Sequence, residues 1–273
     1  MKISCSGRKI EHIHIRDIIE FELAHAKKHG NINASISDID YVYGFVKSCF
    51  SPLYGGRVNR GPNLTKMDEY YLYDNNIGIK LPLSNRGFSE DLYENSKVLL
   101  DHYHYNTNAI IVSNYDLANR IRNDYPKYKV ELSAIADVLD IDSFKEAEDS
   151  NLFDTIVLPM AANDNLDFLN SIKNRDKVRL FLNIECSYTC PNKMCYPTIS
   201  KTNDGTKEKM LCSFVDAKMP RTKYDDSVDW STFYFDIELL QSLGYNLFKL
   251  VIPMEEQQRT ALMYRDILPK ILY

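Results

Sequence analysis

Four apolar stretches in the middle of the chain decide the fold: A-I-I-V-S at 109–113, K-V-E-L-S at 129–133, D-T-I-V-L-P-M at 154–160 and V-R-L-F-L-N-I at 178–184. Their starts lie about 20 to 25 residues apart. Runs rich in Val, Ile and Leu are typical of strands buried on both faces of a parallel sheet. Because helical patterns separate them, the region is predicted to form successive βα units.

Further runs extend this pattern to both sides. Strands are also predicted at Lys2–Ser6, Ile39–Val46, Ile77–Leu81 and Asn246–Ile252. Helices are predicted at Ile15–Lys28, Glu90–His102, Asp142–Glu148, Asn165–Lys173, Asp236–Leu243 and Glu255–Leu268, with one more beginning after Asn114 and ending before Pro126. Asn114 is a good N-cap, and Gly244 is a good residue to end a helix.

Eight βα units predict a single α/β domain over residues 1–273, a closed (β/α)8 TIM-like barrel. An open, doubly wound sheet is the alternative that the same alternation allows. The stretch at about 185–231 fits neither a strand nor a helix. It is predicted to be an irregular insertion that carries cysteines.

The composition limits the classes of function. The chain has 273 residues, of which 44% are hydrophobic and 26% charged, which is ordinary for a globular protein. No run approaches the roughly 20 apolar residues of a membrane span, and the charged start does not resemble a signal peptide. We therefore expect a cytoplasmic protein with reduced thiols. A net charge of −5 argues against nucleic acid as the partner.

Three cysteines lie close together beyond the seventh predicted strand. Cys186, Cys190 and Cys195 have C-x3-C-x4-C spacing, and Cys212 follows 17 residues later. The carboxyl ends of barrel strands are where TIM-barrel enzymes place their chemistry. Four thiolates can hold a [4Fe–4S] cluster or a zinc ion.

The spacing favours the cluster over zinc, because zinc sites usually use two pairs of closely spaced ligands and the second pair is missing here. A radical-SAM site usually has C-x3-C-x2-C, which this chain lacks. Unliganded thiols remain an alternative. Cys5 or Cys49 could also replace Cys195 or Cys212 as a ligand.

Several motifs in order resemble the U32 "peptidase" family, whose relatives include oxygen-independent hydroxylases. They are D-Y-V-Y-G with a following G-G-R, K-V-E-L-S-A-I-A-D-V, D-T-I-V-L-P-M with N-L-D-F-L downstream, N-x-x-C-x3-C-P from Asn183, and G-Y-N-L-F-K-L from Gly244. The resemblance covers the chain from about residue 38 onward. It departs where members often have a histidine after the C-P motif, and where Val251-Ile252-Pro253 replaces a common E-G-R.

The resemblance implies a TIM-like barrel and a [4Fe–4S] cluster held by Cys186, Cys190, Cys195 and Cys212. It suggests redox or hydroxyl-transferring chemistry, without molecular oxygen, on a small organic substrate. It also makes a protein partner or a homo-oligomer plausible, since some relatives work as heteromeric partners. Protease activity receives little support, because the sequence shows no nucleophile–base signature.

Two arginines and two lysines are candidates for substrate contacts. Arg57 and Arg60 lie in a glycine-rich loop, where they either clamp a carboxylate or phosphate or remain solvated. Lys80 and Lys249 lie inside predicted strands, and an inward lysine must be paired or have a perturbed pKa. For Lys249, the alternatives are an anionic substrate and an ion pair with Glu131 or Glu185.

The remaining candidates surround the cysteine segment. Ser133 and Asn183 are predicted to line the mouth as substrate-binding residues. Glu185 is predicted to donate or accept a proton, or else to orient the loop.

Two classes of function follow from these observations. If the protein is an enzyme, we expect a deep mouth with convergent charged groups. If the protein is a metal-stabilised scaffold or partner subunit, we expect the 185–231 segment to plug the mouth. A hydrolase is a third, weaker reading.

Overall fold

Eight parallel strands pair in sequence order and close into a barrel, which confirms the predicted fold class. The computed structural model describes residues 1–7, 13–56, 63–188, 190, 193, 195–206 and 233–251, with only the backbone for Cys186. The strands are Lys2–Ser6 (β1), Ile39–Tyr43 (β2), Gly78–Leu83 (β3), Ala109–Val112 (β4), Lys129–Leu132 (β5), Thr155–Val157 (β6), Val178–Phe181 (β7) and Leu247–Leu250 (β8).

Helices connect the strands along the outside of the barrel. They are Ile15–Gly30 (α1), Lys66–Asp74 (α2), Glu90–Glu94 (α3), Lys97–His102 (α4), Tyr115–Asp124 (α5), Ile141–Asp149 (α6), Leu166–Ser171 (α7), Cys195–Asn203 (α8) and Ile237–Ser242 (α9). Asn114 accepts from the backbone N–H groups of Asp116 and Leu117, which confirms it as the cap of α5. Gly244 follows α9 with a φ of 93°, a value that favours glycine.

The structure corrects several predicted boundaries. The strands predicted at Ile39–Val46, Asp154–Met160, Val178–Ile184 and Asn246–Ile252 all end earlier, because their last apolar residues belong to the loops at the mouth. The single helix predicted at Glu90–His102 is two helices, α3 and α4. The predicted helix Glu255–Leu268 lies outside the described residues.

Two helices have no counterpart in the prediction. Helix α2 buries only Asp68, Glu69 and Leu72, so its sequence has no clear apolar period. It begins instead at a capping box, in which Thr65 accepts from the backbone N–H of Asp68. Helix α8 lies inside the stretch predicted to be irregular, at about 185–231. That prediction was wrong for Cys195–Asn203, and residues 207–232 lie outside the described part of the chain.

Alternate residues of each strand face the interior of the barrel. Lys80, Glu131 and Arg179 lie on β3, β5 and β7, which are not neighbouring strands. Even so, the side chain of Glu131 forms ion pairs with both Lys80 and Arg179. They can meet only across the interior. Four residues from alternate strands form one layer of a TIM barrel, and the strand register makes Ser4 of β1 the fourth member.

The register places two more layers toward the carboxyl ends of the strands. The next layer consists of Tyr43, Ile111, Val157 and Lys249, and the outermost consists of Ser6, Pro82, Ser133 and Phe181. The intervening residues face the helices and form the main apolar core, in which Cys5 is fully buried. The interior of this barrel is therefore charged in the middle and partly aromatic toward its mouth.

Candidate active site at the carboxyl end of the barrel

The layer of Ser4, Lys80, Glu131 and Arg179, here called the charged layer, is almost closed to solvent. The side chains of Lys80 and Glu131 are each 2% exposed. Glu131 Oε2 accepts from Lys80 Nζ and lies 3.2 Å from Arg179 Nε. One carboxylate oxygen thus faces two cations, whereas buried Oε1 has no hydrogen-bond partner among the described residues.

A second carboxylate balances Arg179. The guanidinium donates to Asp40 Oδ2 at 2.6 Å and Oδ1 at 3.3 Å, and also to the carbonyl of Phe248 at 2.8 Å. Ile3 pairs with Ile39 and Ser4 with Tyr41, so Asp40 is the extra residue of a β-bulge. A bulge re-aims the side chain of its strand, and here the result is a two-point carboxylate–arginine pair.

The pKa values follow from burial and from these charges. Burial, reinforced by Arg179, lowers the pKa of Lys80 to about 8. For Glu131, burial by itself raises the pKa, but the charges of Lys80, Arg179 and Lys249 outweigh it and lower the pKa. The sequence correctly predicted that Lys80 would be paired or perturbed, and the structure shows both.

Lys249 lies in the layer directly above the charged layer and is only 9% exposed. Its Nζ is 4.4 Å from the ring centroid of Tyr43 and 5.9 Å from that of Phe181. Among the described residues, no carboxylate lies within ion-pairing distance of it. Glu131 was one of its two predicted partners, but Glu131 is held by Lys80 and Arg179.

Burial is the main reason that the pKa of Lys249 is lowered from its ordinary value of 10.5. The charges of Glu131 and Glu185 raise this pKa in part, and the charge of Arg179 lowers it. The two interior lysines therefore differ: Lys80 has a counter-ion in contact, and Lys249 has aromatic rings.

The other predicted residues of this region lie at the rim. Asn183 donates to the carbonyl of Val251 at 2.8 Å and accepts from its N–H at 3.0 Å, so its amide ties β7 to the end of β8. Ser133 directly follows β5, and its Oγ accepts from the N–H of Ile135 at 3.4 Å. Glu185 is half-buried and accepts from the hydroxyl of Ser187 at 3.0 Å.

The described residues 185–188, 190, 193 and 195–203, here called the cysteine segment, contact several loops around the mouth. On the side of the rim next to β7, Tyr188 donates to Asp164, which follows β6. Lys193 forms an ion pair with Asp137, which follows β5. On the far side, the carbonyl of Ser200 accepts from Asn85 Nδ2 at 3.1 Å, after β3.

The end of α8 reaches farther still. Asn203 Nδ2 donates to the carbonyls of Tyr54 and Gly56 at 2.6 and 2.8 Å, in the loop after β2. The cysteine segment is therefore joined to loops around more than half of the rim.

Two of the predicted metal ligands have described side chains. Cys190 and Cys195 are half-buried on the cysteine segment and form no disulfide. Cys190 Sγ accepts from the backbone N–H of Lys193 at 3.2 Å. Backbone donors to sulfur support a thiolate, the form of cysteine that binds metals. This donor set is chemically suited to an iron–sulfur cluster or zinc.

The complete set of ligands cannot be traced within the described residues. Those residues contain no group of three or more His, Cys, Asp or Glu side chains placed to hold a metal ion. The side chain of Cys186 and all of Cys212 lie outside them, as do Arg57 and Arg60. Cys5, the proposed substitute, packs in the apolar core outside the barrel wall.

Sequence reasoning missed four residues of this region: Asp40, Tyr43, Arg179 and Phe181. Arg179 and Phe181 have the same parity on β7 and carry a usable signal, because an arginine inside an apolar strand needs a buried partner. Tyr43 has the same parity on β2 as Tyr41. Asp40 had no such signal, because only the bulge turns it inward.

The two interior lysines should respond in opposite ways to loss of charge. We expect Lys249→Met to raise the free energy of unfolding at pH 7 by about 1 kcal/mol or more, because it removes a buried charge without a counter-ion. The matched Lys80→Met should lower it by about 3 kcal/mol, because it removes a partner of buried Glu131. Urea unfolding of both variants and the wild type measures these changes.

The gain from Lys249→Met should also depend on pH. Because the folded-state pKa is below 10.5, wild-type protein takes up a proton on unfolding between that lowered pKa and 10.5. Wild-type stability therefore rises with pH in this window relative to the variant, and the gap closes. A Lys249→Met variant that is as destabilised as Lys80→Met would contradict the assignment.

Comparison with known proteins places the fold but not the function. No model of a known protein family matches the sequence. No curated protein matches it significantly either. None of the helices in the described ranges is long and apolar enough to cross a membrane. Among solved structures, the U32 peptidase Mk0906 is similar, with a TM-score of 0.52 and 13% sequence identity, over 80% of this chain and 87% of that one. The chain therefore has a U32-like barrel fold.

Proposed function

We propose that the protein is an enzyme that acts on a small organic molecule at the carboxyl end of the barrel. The observation that carries this proposal is Lys249, a buried amine above the charged layer with no counter-ion in contact among the described residues. A fold retains such a costly group where it serves chemistry or binding. In TIM barrels, that position is the usual place of the active site.

The neighbouring side chains suit this role. The rings of Tyr43 and Phe181 lie beside the amine, with their centroids 4.4 and 5.9 Å from Lys249 Nζ. Glu185 is a candidate at the rim to donate or accept a proton, and its carboxylate accepts from the hydroxyl of Ser187. The charged layer forms a rigid floor, because each of its ions is already paired.

We further propose that the cysteine segment holds a metal centre over this mouth. Cys186, Cys190, Cys195 and Cys212 would bind a [4Fe–4S] cluster, with zinc as the alternative. A bound cluster supplies electron transfer, and with it redox or hydroxylation chemistry that needs no oxygen. The thiols of Cys190 and Cys195 and the N–H···S bond at Cys190 support this assignment.

Metal analysis of cysteine variants tests the metal centre. We expect anaerobically purified protein to contain about four irons and sulfides per chain if four thiolates hold the cluster. Single Ser substitutions at Cys186, Cys190, Cys195 and Cys212 should each lower the iron content, whereas Cys5→Ser and Cys49→Ser should keep it. Protein that binds one zinc and no iron would favour the alternative, and protein that binds neither metal would refute the proposal.

Ligand binding tests the site itself. Saturation-transfer NMR with mixtures of carboxylates, oxo acids, sugar phosphates and amino acids should detect at least one class bound to wild-type protein. Lys249→Met should lose that signal, because the buried amine is the group that meets the ligand. The exposed Lys129→Met is the control and should keep it. If no class binds, or if binding ignores Lys249, the proposed site is wrong.

A scaffold subunit is the second candidate, and one specific observation favours it. The described residues of the cysteine segment are joined to the loops after β2, β3, β5 and β6, and the scaffold hypothesis needs such an attachment to the rim. A scaffold has no use for Lys249 as a ligand-binding group. The NMR comparison therefore separates the two candidates.

A further inference from the structure

The surroundings of Lys249 match the needs of an amine nucleophile better than those of a permanent cation. A lysine attacks carbon only when it has lost its proton, and burial without a counter-ion promotes that loss. Lys80 provides the internal comparison, since it is equally interior but held by Glu131. Of the two, Lys249 lies one layer nearer the carboxyl end of the barrel, and it is 9% exposed against 2% for Lys80.

We propose that Lys249 forms an imine with the carbonyl group of an aldehyde or ketone substrate. This inference rests on the proposed function and narrows the substrate to a carbonyl compound. The strand register supports it, because Lys249 shares its layer with Tyr43, Ile111 and Val157, which carry no charge at neutral pH. The apolar, aromatic wall leaves the amine as the reactive polar group of that layer.

The atoms and protons of this reaction balance as follows. The neutral amine adds to the carbonyl carbon, and the carbonyl oxygen becomes an anion. A proton then moves from the nitrogen to this oxygen, which gives a carbinolamine. Protonation of the carbinolamine hydroxyl then releases water and leaves the imine carbon–nitrogen double bond. Both protons of the neutral amine leave with the carbonyl oxygen as water, so the step needs no proton from another side chain. No oxidant or reductant is consumed.

The charged groups around Lys249 come from several strands. Arg179 on β7 disfavours a second positive charge, whereas Glu131 on β5 and Glu185 after β7 favour it. Both carboxylates lie beyond ion-pairing distance, and Glu131 is shared by Lys80 and Arg179. Burial therefore outweighs the two carboxylates, and the pKa of Lys249 is lowered from 10.5, which makes the neutral amine easier to form.

Reductive trapping tests the proposal with two defined probes, pyruvate and dihydroxyacetone. Each is incubated with full-length protein and cyanoborohydride near neutral pH, and the modified lysines are identified by peptide mass spectrometry. We expect Lys249 to carry the adduct at least about tenfold more often than the exposed Lys129. Buried, paired Lys80 should carry none.

The variants separate an imine from simple charge pairing. Lys249→Arg keeps a positive charge but cannot form the imine, so it should lose the adduct, as should Lys249→Met. Circular dichroism and urea unfolding of both variants show whether they are folded. Labelling of Lys249 no more frequent than that of Lys129 would overturn the proposal.

The result also separates this inference from the proposed function. Lys249-dependent binding in the NMR experiment without any adduct would refute the imine and leave the site intact. Loss of both would refute both.

Discussion

The structure depends on how the interior of the barrel distributes its charges. One carboxylate oxygen of Glu131 faces both Lys80 and Arg179, and Arg179 also donates to Asp40 and to the carbonyl of Phe248. This arrangement satisfies two buried cations with two carboxylates. It leaves Lys249, one layer higher, with no carboxylate in contact among the described residues. Breaking a buried pair costs far more than its net contribution, so the arrangement is rigid.

That rigidity has a consequence for the mouth. The paired ions of the charged layer cannot move to neutralise Lys249 without leaving another buried charge unpaired. The walls of its layer are aromatic and aliphatic, so they offer no counter-ion either. The cysteine segment is bound to the loops at the mouth above this layer. The amine is thus kept in a low-dielectric environment, which is the condition that lowers the pKa of a lysine.

Much of the fold was predictable, because its signals are local. The eight apolar runs have the spacing of βα units, and the cap at Asn114 is a short-range hydrogen bond. The polar helix α2 escaped prediction because its stability depends on a capping box and on tertiary contacts of Asp68. Helix α8 was not predicted because Cys195, its first residue, was assigned to the cysteine-bearing stretch that was expected to be irregular.

The site was predictable only in part. Lys80 and Lys249 stood out as lysines inside apolar strands, but the sequence could not tell which of them would have Glu131. That outcome depends on shear, which sets residues of alternate strands at one level. Asp40 depends on a bulge, a non-local feature of the β1–β2 pairing. Arg57, Arg60 and Cys212 lie outside the described residues and stay predictions.

Direct titration of Lys249 tests the central claim. In protein labelled with ¹³C at the lysine ε-carbons, the Lys249 resonance is the one that disappears in Lys249→Arg. The account predicts that this resonance titrates at a pH below 10.5, while exposed lysines titrate near that value. A Lys249 pKa at or above 10.5 would show that the amine has a counter-ion, and the account would be contradicted.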